Sequence, residues 1–298
     1  MRNLQLVKAE RKMRMPRMQI SGASGSGKTY TALTAAREAL KYASEFGVGS
    51  RIALVDTEMN SSTLYGGDFS FVQANWYAPY KLDDLSEYVE YLAAEGVEKE
   101  DMGVFILDSM SHFWHAEGGA LEEINTITKR PGFDSFRAWA EVTPKIDRLI
   151  QGIISLPCPV IVTLREAHEY ERSTDSRGKT VIERVGGKAR WRDDSLYEFD
   201  VGLKMSRGAI AHIEKTRYAP WNNLSITKPD GKFFAEYFDW LVDAKKSGVE
   251  LVYNYADGNA VAANAAARRL FSQYHVEKGE VPANAEALQE WYKAQQSS

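Results

Sequence analysis

Short apolar runs alternate along most of this chain with longer stretches in which apolar residues return every three or four positions. The runs predict strands at Met18–Ser21, Arg51–Val55, Ser70–Gln73, Val104–Leu107, Val160–Leu164 and Phe199–Met205, with Ile210–Glu214 and Leu224–Thr227 as further candidates. Between them, Ala32, Leu33, Ala36 and Leu40 mark one face of a helix over Thr29–Tyr42, and Leu82, Leu85, Val89 and Leu92 mark another over Leu82–Ala94. A third stripe, Ile146, Leu149, Ile150 and Ile153, belongs to a helix around Phe136–Ile154, and Pro144 is expected to mark its true start, because proline suits the first turn of a helix. This alternation predicts an α/β fold, a mostly parallel sheet flanked by helices.

After Trp240 the character changes. Asn259–Phe271 and Ala283–Gln295 are strong helix formers joined by Lys278-Gly-Glu-Val-Pro282. The expected organisation is a basic arm over residues 1–16, a core over 17–240 and a small helical appendage over 241–298.

With 44% hydrophobic and 26% charged residues, the 298-residue chain has the composition of a folded globular protein rather than a disordered one. No stretch approaches the roughly 18 consecutive apolar residues of a membrane span, and Met1–Lys8 lacks the apolar block of a signal peptide, so a cytoplasmic protein is expected. The single cysteine, Cys158, sits in Leu156-Pro-Cys-Pro-Val160 and reads as a small buried hydrophobe. A net charge of −4 leaves nucleic-acid binding to local clusters. Two exist: Arg2, Lys8, Arg11, Lys12, Arg14 and Arg17 against Glu10 alone, and a run from Arg165 to Arg192.

Gly22-Ala23-Ser24-Gly25-Ser26-Gly27-Lys28-Thr29 satisfies Gly-x₄-Gly-Lys-[Ser/Thr] between a predicted strand and a predicted helix, which is where a phosphate-binding loop must lie. Its glycines let successive N–H groups turn toward phosphate oxygens, and the helix N-terminus adds about half a positive charge. Lys28 is expected on the β- and γ-phosphates of ATP, Thr29 on Mg²⁺, and Tyr30 beside them. Ligands of parallel sheets bind beyond the carboxyl ends of the strands. Asp108, closing Val104–Leu107, is therefore expected to hold Mg²⁺ with Thr29. Glu58, just past Arg51–Val55, is expected to orient and deprotonate the attacking water, while Asp56, nearer the strand, braces the loop. His112 and His115 have the spacing of a metal pair but lack companion ligands, so a structural role beside Asp108 is expected.

The phosphate loop, Asp56-Thr-Glu58, Tyr65 seven positions on, Asp108-Ser109 and Lys215-Thr-Arg217 together resemble the RecA-like recombinase core. Asp108-Ser-Met-Ser-His-Phe-Trp114 with Gly118-Gly119 looks like the phage-encoded, core-only RecA/RadA-like ATPases of the Sak-type single-strand annealing group. The similarity spans roughly residues 17 to 240. It implies a RecA-like P-loop NTPase core and a recombination ATPase in a bacterial host's cytoplasm. It also implies a homo-oligomer, ring or filament, that binds ATP at subunit interfaces, with single-stranded DNA and a single-strand-binding protein as partners. The same resemblance implies adenine stacking by Tyr65, Lys215 and Arg217 acting in a neighbour's site, and Thr163 or Arg165 sensing the γ-phosphate.

For DNA it implies a loop carrying Arg172, Arg177, Lys179, Arg184, Lys188, Arg190 and Arg192, with Trp191 as a stacking face, and a first loop carrying Lys129 and Arg130 near Phe133 or Phe136. Composition alone makes residues 169–192 a solvated hairpin. The residues leave two other classes open: a motor or loader ATPase acting on a protein, and a small-molecule kinase.

Overall fold

The computed structural model describes residues 13–174, 180–243, 253–256 and 259–262. The chain divides into two units, Met15–Phe234 and a second made of Met1–Arg14 with Ala235–Ser298. Among the described residues no helix is long and apolar enough to cross a membrane.

In chain order the larger unit runs β1 (Arg17–Gly22), α1 (Lys28–Leu40), α2 (Ala43–Phe46), β2 (Arg51–Asp56), β3 (Val72–Asn75), α3 (Leu82–Tyr91), α4 (Val97–Lys99), β4 (Met102–Asp108) and α5 (His112–His115). It continues with α6 (Ala120–Thr128), α7 (Ser135–Ser155), β5 (Val160–Thr174), β6 (Thr180–Ala189), β7 (Val201–Ser206), β8 (Ile210–Lys215) and β9 (Ser225–Thr227), and α8 (Gly231–Asp243) crosses the division between units. The strands form a mixed, mostly parallel nine-stranded sheet in the order β3, β2, β4, β5, β1, β7, β8, β9, with β6 hydrogen-bonded to β5. The fold is that of an α/β P-loop NTPase core.

Central strands of a parallel sheet are covered on both faces and therefore read as unbroken apolar runs. β4 obeys this, with Val104, Phe105, Ile106 and Leu107 all buried. Alternate residues then serve opposite layers: Phe105 and Leu107 join the core of α3, α6 and α7, while α1 lies against β1, β2, β4 and β5. Register sets the functional edge. Asp56 of β2 pairs with Asp108 of β4, and Gly22 of β1 pairs with Arg165 of β5, so four strands deliver a polar residue or a glycine to one level.

All eight predicted strands form, and all but β5 lie within a few residues of their expected bounds. Three expectations need correction. α7 starts at Ser135, nine residues before Pro144, because Asp134 accepts the Arg137 N–H at 2.8 Å and caps it. The missing proline N–H costs about 3 kcal/mol in a helix interior, but buried Ala138 and Val142 extend the stripe of Ile146, Leu149 and Ile153 back across the break. Asn259 does not open a helix: β11 (Asn259–Ala262) pairs antiparallel with β10 (Tyr253–Ala256). The remainder of the expected helical appendage, and residues 1–12 of the basic arm, lie outside the described residues. Finally, β5 runs to Thr174 instead of ending at Leu164, and pairs with β6 from Glu166–Ala189 to Thr174–Thr180, which is the hairpin that composition predicted.

Candidate active site

Strand β1 meets β7 so closely that a Cβ on Gly22 would lie 2.5 Å from the Met205 carbonyl oxygen. Beyond it the chain turns through Gly25 and Gly27, whose φ values of 73° and 93° lie in the left-handed region that favours glycine, and α1 begins at Lys28. No acidic residue stands in the first turn of α1, so the positive end of that helix faces the loop unopposed by local carboxylates. Lys28 Nζ donates to the Ala23 carbonyl at 3.0 Å, closing the loop on itself. Burial pulls the Lys28 ammonium below the usual lysine range, while Asp108 and Glu58 act to raise it. Ser26 is fully buried inside the loop, whereas Ala23, Ser24 and Gly25 are more open.

At the end of β4, Asp108 is buried between two hydroxyls. Thr29 Oγ1 donates to its Oδ2 at 2.6 Å, and the Thr163 hydroxyl donates to its Oδ1. Burial raises the Asp108 carboxyl pKa, and these two donors oppose the rise. Thr29 and Asp108 form an all-oxygen donor pair of the kind Mg²⁺ takes together with substrate phosphates. Thr163 is fully buried on the same carboxylate, so of the two γ-phosphate candidates after Val160 only Arg165 lines the cavity.

That cavity measures about 450 Å³, and Lys28, Thr29, Glu58, Tyr65, Asp108 and Arg165 line it with Ser24, Gly25, Gly27, Ser61, Glu166 and Arg190. Glu58 is held there from two sides. Its N–H donates to Asp56 Oδ1 at 2.6 Å, and Asp56 Oδ2 also accepts from Ser62 N at 3.0 Å and from the Ser62 hydroxyl, so Asp56 braces the loop as its position implied. The Glu58 carboxylate takes a two-pronged ion pair from Arg165, with Nε at 2.5 Å from Oε1 and Nη2 on Oε2. This pair holds the Arg165 guanidinium above its ordinary range. Arg165 is itself fixed by backbone: its N–H donates to Ser111 Oγ at 2.9 Å, and its carbonyl accepts from Arg190 N at 2.7 Å.

Behind Glu58, Thr57 Oγ1 lies 2.6 Å from His112 Nδ1 and accepts from Ser109 N at 2.7 Å. His112 stacks on Tyr80, with ring centroids 5.0 Å apart. Burial, then the nearby Arg165 charge, lowers its pKa to about 4. His112 thus serves structurally, joining the Glu58 loop to the turn after Asp108. Tyr65 sits at the cavity rim edge-on to Tyr30 at 5.9 Å, and Tyr30 packs in turn on Phe69.

The other predicted residues fall elsewhere. Lys215 pairs in register with Gly202 near the start of β7, whereas Gly22 pairs with Met205 near its end, so Lys215 and Arg217 occupy the edge of the sheet away from their own phosphate loop. Lys215 donates to the Leu196 and Tyr197 carbonyls at 2.9 and 2.6 Å, and Arg217 Nε is 3.2 Å from Asp200. Arg130 pairs with Glu141 at 3.3 Å and, beside the helix-capping Lys129, borders a cavity lined by Asp83, Glu117, Glu122 and Glu123. Arg172 and Arg184 fall on β5 and β6, whereas Arg177 and Lys179 lie outside the described residues. Lys188 and Arg190 are exposed, and Arg192 pairs with Asp147 at 2.5 Å and with Asp194. Trp191 is buried, with only 3% of its surface accessible, and is not the open stacking face expected of it, because Trp114 packs on it at 5.5 Å.

Sequence reasoning passed over Glu166 and Ser61, which line the cavity. Glu166 was findable by the same signal as Asp108, a carboxylate just past an apolar strand. Cys158 is buried as expected, and burial pushes its thiol up to about 12.

A family model described as an AAA domain matches residues 14–235. No curated protein matches the chain.

Proposed function

The chain belongs to the AAA domain family and carries a P-loop ATPase domain, and from that premise we propose that it is a single-stranded-DNA-binding ATPase of homologous recombination. In this proposal it anneals or pairs strands for a bacteriophage, as an oligomer with ATP held between subunits. The observation that carries the DNA reading is the β5–β6 hairpin. The strand that supplies Arg165 to Glu58 continues into that hairpin, and Arg190, at the base where the hairpin returns, hydrogen-bonds back to Arg165 and lines the same cavity. The phage assignment rests on the resemblance of the motifs around Asp108 and Gly118-Gly119. The oligomer is supported by Lys215 and Arg217, which stand at the far edge of the sheet from their own phosphate loop.

The loop amides and Lys28 bind the triphosphate, and Tyr65, on the cavity rim with Tyr30 edge-on against it, stacks on the base. Thr29 and Asp108 would hold Mg²⁺, which when bound neutralises phosphate charge. Glu58 deprotonates water only once its lone pairs are released, since a two-pronged guanidinium contact occupies both oxygens. The γ-phosphate competes for Arg165, and the resulting exchange of partners frees Glu58. The strand that carries Arg165 passes that exchange to the hairpin.

The test is ATP turnover with and without single-stranded DNA across a salt series. DNA is expected to stimulate turnover, and salt to remove the stimulation, with log affinity falling by about 0.7 per phosphate contact for each unit of log salt. Stimulation by a protein partner alone would select a loader or motor instead, and stimulation by a metabolite would select a kinase.

A further inference from the structure

A second cleft, of about 660 Å³, opens beside the hairpin and is separate from the phosphate cavity. Trp114, His115, Trp139 and Trp191 line it, with Lys188 and Arg190 at its edge. Trp114 stands between the other two indoles, with its ring centroid 6.0 Å from Trp139 and 5.5 Å from Trp191 at angles of 45° and 49°. A closed aromatic core would bury all three. Here Trp139 keeps 37% of its surface accessible, and Trp191, buried against the cleft, has an indole N–H with no hydrogen-bond partner among the described residues. Phe136, three residues earlier on α7 and so on the same face as Trp139, is 81% accessible.

We propose that this cleft is a nucleobase-binding site, in which a base of single-stranded nucleic acid stacks on Trp139 and Trp114 while its phosphate meets Arg190. The proposal rests on the DNA reading given above and assigns it a place. Aromatic faces accept any base, and stacking together with a neighbouring cation is the general chemistry of single-strand binding. The charge pattern favours nucleic acid over an apolar peptide: in a chain of net charge −4, Lys188, Arg190 and Arg192 line this aromatic cleft against Asp194 alone. Arg192, also at the cleft, is already engaged by Asp147 and Asp194, so the phosphate role falls to Arg190.

The cleft also communicates with the phosphate cavity. Arg190 lines both. His115 stacks on His112 with centroids 6.0 Å apart, and His112 meets the Thr57 hydroxyl next to Glu58. A base entering the cleft therefore presses on the two elements that hold the Arg165–Glu58 pair.

The test is binding of a fluorescein-labelled oligothymidylate, followed by anisotropy across a salt series, to the full chain and to Trp139→Ala, Trp139→Phe and Arg190→Ala. Trp139→Ala is expected to weaken binding about fivefold or more at every salt concentration without changing the slope, and Trp139→Phe to retain most of the affinity. Arg190→Ala should instead reduce the slope by about 0.7. Equal thermal midpoints show that the variants fold, and quenching of wild-type tryptophan fluorescence on titration gives a readout that needs no variant. The cleft assignment is overturned if Trp139→Ala binds like wild type, if Trp139→Phe loses as much as alanine, or if oligothymidylate binds without quenching. If wild-type protein binds no oligonucleotide, or its tryptophans respond only to an aromatic peptide, the DNA reading fails as well.

Discussion

The phosphate cavity has two walls built in different ways. On one side, Gly22–Thr29 and Asp108 satisfy one another over short distances: Lys28 on Ala23, Thr29 and Thr163 on Asp108, all within or beside buried strand ends. On the other side, Glu58, in the loop after β2, and Arg165, on β5, are joined through partly accessible side chains, and β5 runs on into the β5–β6 hairpin. Changing the first wall means breaking backbone and buried hydroxyl contacts, whereas the second can exchange one charged partner for another. In the mechanism proposed above, the first wall is a fixed receptor and the second a switch.

The largest effect should come from the fixed wall. Lys28→Ala is expected to cut ATP turnover by about 1,000-fold or more, read as phosphate release, because the loop then lacks the cation it holds against the phosphates. Glu58→Gln should lower turnover by about 100-fold or more while still binding ATP, so a filter-binding assay would recover trapped nucleotide; normal turnover would remove Glu58 from its role. Arg165→Ala should act on the switch alone by equalising turnover with and without single-stranded DNA, and a preserved ratio of the two rates would merge the walls into one.

A pH series sharpens the contrast further. His112 has a pKa near 6.5 when unfolded and about 4 in the fold, so folding favours its neutral form. Its contribution is complete above about pH 6.5 and is lost as pH falls toward 4, a loss on the order of 2 kcal/mol visible in the thermal midpoint. His112→Asn should flatten that profile. The smallest effect lies outside both walls: Pro144→Ala should restore the interrupted bond in α7 and raise stability by about 1–3 kcal/mol in denaturant titrations.

The fixed wall was legible in the sequence because its signals are local. Gly22–Thr29 is a spaced motif, and Asp108 closes an apolar run. The switch was only half legible. Glu58 and Arg165 were each singled out, but they are 107 positions apart, and no periodicity announces that β5 and β2 will bring them together. Trp191 misled for a related reason: composition shows an aromatic among cations, but its burial depends on Trp114, contributed by α5 after β4. At Pro144 a local rule was outweighed by a stripe of buried residues that continues on both sides of it. Lys215 and Arg217 were found by motif, while their position at the far edge of the sheet follows from β8 running antiparallel to β7.

Cys158 offers a practical handle on the switch. It is the only cysteine in the chain, it is buried, and its thiol ionises only near pH 12, so thiol reagents at neutral pH will pass it by. A cysteine placed on exposed Tyr197 or Phe136 would therefore take a maleimide dye selectively in the otherwise natural chain. A dye at Phe136, beside Trp139, could then report cleft movements in real time during a single round of turnover, with one at Tyr197, outside the cleft lining, as a reference.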